Sequence, residues 1–268
     1  VERDLDIGFS LSESERYRLN LMHQKGSIAG VARRVPLGEM SFADLELPVV
    51  FKSLACSPRG LILVTGATGS GKSSSVASIV HYINTRFAKH IVTIEDPIEF
   101  IHRDRKSVIT QREVGNDTQD FAGSLRQVVR QSPDVIVIGE LRDYESIQTA
   151  ISAAMTGHLV ITTMHTVDVT QTLERIINYY PDHLRDQIAM DLSMALAGVV
   201  SQRLIPLMSG EGLIPVCEVL LATPLVRRHI SQRNFELIEE VIKTSAADGM
   251  ITFNRSLAER YHAGKISK

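Results

Sequence analysis

The pattern of apolar and polar positions between residue 59 and about residue 165 alternates between short apolar runs and longer amphipathic segments. The apolar runs predict buried strands at residues 61–65, 91–94, 135–138 and 158–163. The amphipathic segments predict helices at residues 71–86, 121–130 and 143–155. Because strands that alternate with helices form parallel sheets covered on both faces, the predicted fold class is α/β.

The pattern before this core is typical of an antiparallel hairpin. Strand-like segments occupy residues 6–11, 16–24 and 28–35, and Lys25-Gly26 is a turn signal between the last two. A two-residue turn there would place Arg18 and Arg33 directly opposite each other. Like charges in that position are unfavourable unless an anion lies near them. A longer loop would shift the register, and two solvated surface arginines are the alternative interpretation.

From about residue 182 the pattern becomes mostly helical. It predicts a long amphipathic stretch over residues 182–200, a small hairpin at 202–205 and 213–221, and helices at 224–231, 235–244 and 252–262. Residues 37–58 resemble a linker with a short helix at 41–45 and 49–55. We therefore expect an N-terminal unit at 1–36, a linker at 37–58 and a main domain at 59–268.

Composition narrows the class of protein. With 44% hydrophobic and 22% charged residues, the chain can bury a sizeable core. The net charge of −2 gives no basic field for nucleic acid, which is not expected as a partner. Cys56 and Cys217 form no C-x-x-C pair, which argues against a disulfide framework or a thiolate zinc site. No transmembrane segment or signal peptide is expected, and the start at Val1 predicts a fragment lacking an upstream region.

Residues 66–73 fit the G-x-x-x-x-G-K-[ST] phosphate loop, between a predicted strand and a predicted helix. The glycines let backbone N–H groups turn toward one point, and the helix N-terminus adds positive partial charge. Lys72 would reach the β- and γ-phosphates of a nucleotide, and the Ser73 hydroxyl would bind Mg²⁺. The expected nucleotide-binding residues are Gly66, Ala67, Thr68, Gly69, Ser70, Gly71, Lys72, Ser73 and Ser74. A glycine-rich turn without a ligand is the simpler alternative.

Two acidic clusters follow predicted strands. Residues 93–99 carry three carboxylates, of which Glu95 is placed to orient or deprotonate a water that attacks the γ-phosphate. Glu140 follows four consecutive β-branched residues, and its carboxylate would meet Mg²⁺ directly or through water. Gly139 replaces the usual aspartate, so Glu140 must serve alone. The sequence leaves open which of Glu95 and Glu140 is the catalytic base.

Two histidines, His158 and His165, bracket the predicted strand at 158–163. They cannot make a zinc site alone, since no third ligand is near in sequence. A histidine on a strand is more often a satisfied core residue. His165, at the carboxyl end, is nevertheless better placed than His158 to sense the γ-phosphate or a neighbouring subunit.

These motifs, taken in order, resemble those of the type II and type IV secretion ATPases: residues 66–73, 93–99, 139–143 and 156–166. The resemblance implies a RecA-like P-loop NTPase motor domain at 59–268, with a helical C-terminal part from about residue 182. It also implies that residues 1–36 are the end of a truncated PAS-like α+β domain, in which Arg18 and Arg33 match arginines that contact the nucleotide. ATP and Mg²⁺ are the implied ligands, and a homo-hexamer at the cytoplasmic face of the bacterial inner membrane is the implied assembly.

Within that family the chain is similar to the pilus-retraction (twitching-motility) subgroup, which is PilT/PilU-like. No tetracysteine module follows residues 201–204, unlike in assembly and secretion ATPases. Residues 225–231 depart from the usual retraction-motor motif, where only Arg227 and Ile230 fit, and this favours the accessory PilU-like branch. The implied partners are a paralogous retraction ATPase and an inner-membrane pilus platform protein. A regulatory nucleotide-binding partner with little hydrolysis, an assembly or secretion ATPase and a nucleic-acid translocase are the alternatives.

Overall fold

The computed structural model describes residues 4–12, 15–36 and 39–267 and contains two β-sheets. The strands are β1 (Asp4–Ser12), β2 (Glu15–Gln24), β3 (Ser27–Val35), β4 (Gly60–Thr65), β5 (His90–Glu95), β6 (Val108–Glu113), β7 (Val135–Ile138), β8 (Leu159–Met164), β9 (Leu196–Pro206) and β10 (Leu213–Leu221). The α-helices are α1 (Val50–Ala55), α2 (Lys72–Arg86), α3 (Phe121–Val128), α4 (Tyr144–Met155), α5 (Val169–Asn178), α6 (Arg185–Ala195), α7 (Pro224–Ser231), α8 (Ile238–Thr244) and α9 (Phe253–His262). Short 3₁₀ segments extend several helix ends.

The central sheet has the strand order β10-β9-β4-β8-β7-β5-β6. Every neighbouring pair is parallel except β9 and β10, which confirms the expected mainly parallel α/β fold. Strands β4, β7 and β8 are buried along their whole length, as their continuous apolar sequences predict. The carboxyl ends of β4, β5, β7 and β8 meet at one edge of the sheet, where ligands of such folds bind.

The expectation for residues 182–200 was wrong at its C-terminal end. Helix α6 stops at Ala195, and Leu196 turns into strand β9, whose residues Val199 and Val200 pair with β4. The predicted hairpin is confirmed as the antiparallel pair β9 and β10, which is longer than expected and forms one edge of the central sheet. The β-branched pair is fully buried between two layers, and that tertiary environment outweighs the helical pattern before it.

Two elements were not anticipated from the sequence. Strand β6 lies at the sheet edge, and its residues are mostly polar and mostly exposed or half-buried, so it lacks the apolar run of a buried strand. Helix α5 has a clear helical pattern, with Val169, Leu173, Ile176 and Ile177 buried on one face. The Asp168 carboxylate caps it by accepting from the Gln171 amide at 2.7 Å.

The N-terminal sheet confirms the predicted two-residue hairpin. Its order is β1-β2-β3, and Lys25 and Gly26 both have positive φ, as a tight turn between twisted strands requires. Gln24 pairs with Ser27, and this register places Arg18 opposite Arg33. The division into domains at 36 and 58 stays a prediction.

The central sheet is covered by apolar clusters on both faces. One cluster joins α4, α5, α6 and α7 to the sheet, and the other joins α1 and α2 to it. Phe51 and Leu54 of α1 are buried in the second cluster, against Ile79 of α2. No helix in the described part of the chain is long and apolar enough to cross a membrane.

Candidate active site

The phosphate loop connects β4 to α2 and depends on glycine at several positions. Gly66, Gly69 and Gly71 have φ values of 147°, 79° and 86°, a region that other residues rarely adopt. A Cβ atom on Gly66 would also lie 2.4 Å from the Gln202 carbonyl oxygen and from Ser70 Oγ. Glycine is therefore required at Gly66 by both backbone conformation and space, and it is favoured at Gly69 and Gly71 by their positive φ.

Lys72 lies at the floor of a cavity of about 530 Å³, a volume typical of small-ligand sites. Its ammonium group donates to the carbonyl oxygens of Gly66 at 2.8 Å and Ala67 at 2.9 Å. Burial lowers the pKa of Lys72, and the nearby carboxylates of Glu140 and Glu99 oppose that shift. Lys72 is thus a buried cation held directly over the loop.

The donors around this cavity fit the chemistry of a triphosphate. The hydroxyl-bearing residues Ser73 and Ser74 lie in the first turn of α2, whose N-terminal N–H groups have no partner within the helix. Ser70 Oγ is buried and makes no hydrogen bond with any described residue. Thr68, Gly69, Gly71, Lys72, Ser73 and Ser74 line the cavity.

Glu95 ends β5 on the far side of the cavity and is held by three donors. Thr93 Oγ1 donates to its Oε1 at 2.7 Å, Gln111 Nε2 donates to the same oxygen at 3.2 Å, and the Glu99 amide donates to its Oε2 at 3.2 Å. Burial raises the pKa of Glu95, and the three hydrogen bonds oppose the shift. A fixed carboxylate with a raised pKa is suited to accept a proton.

Glu140 follows β7 and is brought toward Glu95 by the backbone of Gly139. The Gly139 amide donates to the Ile94 carbonyl at 2.8 Å, and Thr163 Oγ1 donates to the Gly139 carbonyl at 2.6 Å. A Cβ atom at position 139 would lie 3.4 Å from Glu95 Cα. That distance is ordinary van der Waals contact, so the two acidic segments are held together by the backbone hydrogen bond and not by a requirement for glycine.

His165 connects Lys72 to Glu140. Its Nδ1 lies 3.5 Å from Lys72 Nζ, and its Nε2 lies 3.2 Å from Glu140 Oε2. An ammonium group can only donate, so Nδ1 must accept and the ring proton must be on Nε2, which donates to Glu140. Glu140 also pairs with Arg142. His158 lies at the other end of β8, with its Nδ1 3.0 Å from the Ala153 carbonyl oxygen.

The two arginines of the N-terminal sheet differ in position. Arg33 lines the same cavity as the phosphate loop, Glu95 and Glu140. Arg18 lies opposite it in the register but is not among the residues that line the cavity. The structure therefore brings Arg33, but not Arg18, to the site.

Gln202 is a site residue that sequence reasoning missed. Only 2% of its surface is exposed. Its Nε2 donates to the Ser70 carbonyl at 2.7 Å, and its Oε1 accepts from Ser75 Oγ at 2.7 Å. It thereby ties the phosphate loop and helix α2 to strand β9. The available signal was a glutamine directly after the mostly apolar run 196–201, inside what proved to be strand β9.

A phosphate loop after β4, carboxylates after β5 and β7 and a histidine after β8 define a P-loop nucleotide-hydrolase fold. The family model described as type II/IV secretion system protein matches residues 32–252. The chain belongs to this family, and its enzymatic class is ATPase.

Similar proteins cover nearly the whole chain. A "twitching motility protein" of Neisseria gonorrhoeae is 40% identical over 264 residues, which are 98% of this chain and 71% of that protein. The type IV pilus ATPase PilU of Pseudomonas aeruginosa is 41% identical over 252 residues, which are 94% of this chain and 66% of that protein. The crystal structure of the pilus retraction motor PilT with bound ADP matches with a TM-score of 0.92 at 39% identity, covering 99% of this chain and 76% of that one. The resemblance to the twitching-motility subgroup is thereby confirmed.

Proposed function

We propose that the chain is the subunit of a homo-hexameric ATPase of the type IV pilus system that drives or assists pilus retraction and twitching motility. The observation that carries the proposal is the shared cavity, in which Lys72, Glu95 and Glu140 meet around a closed phosphate loop. The names of the similar proteins support the pilus role.

In this proposal the loop residues 66–74 bind the phosphates of ATP. Lys72 moves its ammonium group from the loop carbonyls to the β- and γ-phosphates. Mg²⁺ would be held by Ser73 and, directly or through water, by Glu140, and it would neutralise phosphate charge. Among the described residues, no cluster of three or more histidine, cysteine or acidic side chains could hold a metal ion alone.

Glu95 is the better candidate for the base. Its raised pKa and its three fixed donors suit it to take the proton of the attacking water, while a new P–O bond forms and the bond to ADP breaks. Glu140 is already engaged by His165 and Arg142, which suits it to the Mg²⁺ side. His165 contacts both Lys72 and Glu140, so a displacement of Lys72 would change its hydrogen bond to Glu140. Arg33 would stabilise charge on the transferring phosphoryl group, and Arg18 would join it only after the N-terminal sheet moves.

Loss of the γ-phosphate would relax the contact with Arg33 and let the N-terminal sheet rotate. Around a ring, this motion would pull pilin subunits through an inner-membrane platform protein, at the cytoplasmic face of the membrane. A paralogous retraction ATPase is the second expected partner.

Helix α7 supports an accessory role within this system. Arg227, which fits the retraction motif, donates to the carbonyl oxygens of Ser193, Met194 and Leu196 at the end of α6. Ile230, which also fits, is fully buried. Leu225, which departs from the motif, is 49% exposed. The departures therefore include a surface position, as a changed partner would require, and also the fully buried Val226.

The test of the ATPase site is Lys72→Ala, with the exposed Lys52→Ala as the matched control. We expect Lys72→Ala to abolish phosphate release while the circular dichroism spectrum is unchanged, and Lys52→Ala to hydrolyse ATP normally. Normal turnover by Lys72→Ala would refute the proposed site.

The pilus role is tested by assaying turnover with and without a paralogous motor and by measuring pilus length in cells that lack this protein. A regulatory subunit would show little turnover alone. DNA-stimulated turnover would instead favour a translocase.

A further inference from the structure

Strand β6, at the edge of the central sheet, contacts both the candidate base and the N-terminal sheet. Gln111 and Glu113 lie two residues apart on it and so share one face. Gln111 donates to the carboxylate of Glu95. Glu113 accepts from Arg16 of β2. The same strand face thus connects the two parts of the molecule.

Glu113 is a buried carboxylate with several donors, and only 3% of its side chain is exposed. Its Oε2 accepts from Arg16 Nη2 at 2.8 Å and from the Ile98 amide at 3.1 Å. Its Oε1 accepts from Asn116 Nδ2. Because a buried charge without its partner is strongly unfavourable, Glu113 is expected to follow the Arg16 guanidinium when the N-terminal sheet moves.

Glu113 Oε2, which accepts from both Arg16 and the Ile98 amide, is also connected to the active site through the backbone. Ile98 belongs to the segment after β5, and the next residue, Glu99, donates its amide to Glu95 Oε2 at 3.2 Å. A displacement of Glu113 would therefore change two of the contacts that fix Glu95: the one through this segment and the one through Gln111.

On the other side, Arg16 is tied to the arginine that lines the cavity. It lies on the same face of β2 as Arg18, which pairs with Arg33 of β3. Gly8 of β1 makes room for this contact, because a Cβ there would lie 2.5 Å from Arg16 Nη2 and 3.1 Å from Glu113 Oε1. The position of Arg16 against the central sheet thus also sets that of Arg33.

We propose that Arg16 and Glu113 are a pair of positioning residues that couple the placement of the N-terminal sheet to that of Glu95. The pair brings Arg33 and Glu95 into their working positions together, so that the base is aligned only when the arginine is near the phosphates. This inference rests on the proposed ATPase function and deepens it.

The test compares Arg16→Gln and Glu113→Gln with Arg34→Gln in the full chain and its native assembly. Arg34 lies on the opposite face of β3 and makes only a 4.0 Å exposed pair with Glu15. We expect kcat to fall on the order of 10- to 100-fold in the first two variants, as for a small misplacement of reacting groups. The KM for ATP should stay nearly constant, and the double variant should lose no more than either single one.

A second measurement does not depend on turnover. Hydrogen exchange of the Ile98 and Glu99 amides should be faster in Arg16→Gln than in Arg34→Gln, although residue 16 does not touch Glu99 or Glu95. Gly8→Ala should give the same pattern with both charges still present, since the Arg16 guanidinium must move away.

The outcomes separate this inference from the proposed function. If the unmodified protein does not hydrolyse ATP, the proposed function fails, and the exchange measurement still decides the coupling. Unchanged exchange in Arg16→Gln overturns the coupling, even if kcat falls, because Arg16 would then act on the nucleotide itself. Faster exchange with unchanged kcat in a protein that hydrolyses ATP also overturns it, because the contact would then be structural only.

Discussion

The two sheets of this molecule differ in how deeply their apolar side chains are buried. Strands β4, β7 and β8 of the central sheet are buried throughout, whereas the N-terminal sheet leaves Leu5, Phe9, Ile28 and Val31 between 47% and 72% exposed. The central sheet holds the phosphate loop in a fixed shape, and the N-terminal sheet presents Arg33 to it. In the proposed function, the rigid binding loop and the moving charge lie in separate layers, because a part with few buried contacts can move at little cost.

We expect the largest change in rate when the positive charge that the N-terminal sheet presents to the cavity is removed. Arg33→Gln should lower kcat by about 10³-fold or more, the size seen where an arginine stabilises a transferring phosphoryl group. Arg34→Gln is the matched control, since the neighbouring residue points to the opposite face of β3. Steady-state phosphate release measures both. Equal rates in the two variants would show that the N-terminal sheet contributes no charge to the reaction.

A smaller effect is expected on stability, where a buried position of the central sheet is compared with an exposed position of the N-terminal sheet. Ile62→Ala removes a fully buried side chain from β4 and should lower the free energy of unfolding by about 2–5 kcal/mol. Ile28→Ala changes a residue that is 72% exposed on β3 and should stay within about 0.5 kcal/mol of the unmodified protein. Urea unfolding of both variants checks this. Similar losses would mean that Ile28 is covered in the native assembly.

The sequence could predict those parts of the site that depend on local rules. The phosphate loop follows from glycine spacing, Glu95 and Glu140 from their position after apolar strands, and the Arg18 and Arg33 pairing from a two-residue turn. Strand β6 was not predictable in this way, because Gln111 and Glu113 are polar and their partners lie far away in the chain. The loop support by Gln202 was missed for the same reason. Residues 196–200 were misassigned because an apolar run beside a helix has the same local pattern in either structure. Helix α5, by contrast, follows the ordinary helical period, so its local pattern is sufficient to predict it.

We expect the smallest effect from pH, which compares two carboxylates of the central sheet, the half-buried Glu95 and the buried Glu218, with their neutral replacements. Burial raises the pKa of Glu95 above its ordinary value of 4.5, so the folded state takes up the proton at a higher pH than the unfolded state does. The free energy of unfolding should therefore rise, relative to Glu95→Gln, as the pH falls through the pKa of the folded state toward 4.5.

Glu218 of β10 provides the matched case, because burial raises its pKa too and it lies outside the cavity. Glu218→Gln should show the same sign of pH dependence without the loss of turnover expected for Glu95→Gln. Urea unfolding between pH 5 and pH 8, measured for the protein and both variants, gives the comparison. A difference that shrinks as the pH falls would mean that the hydrogen bonds from Thr93, Gln111 and the Glu99 amide outweigh burial at Glu95, and that this carboxylate is held in its charged form.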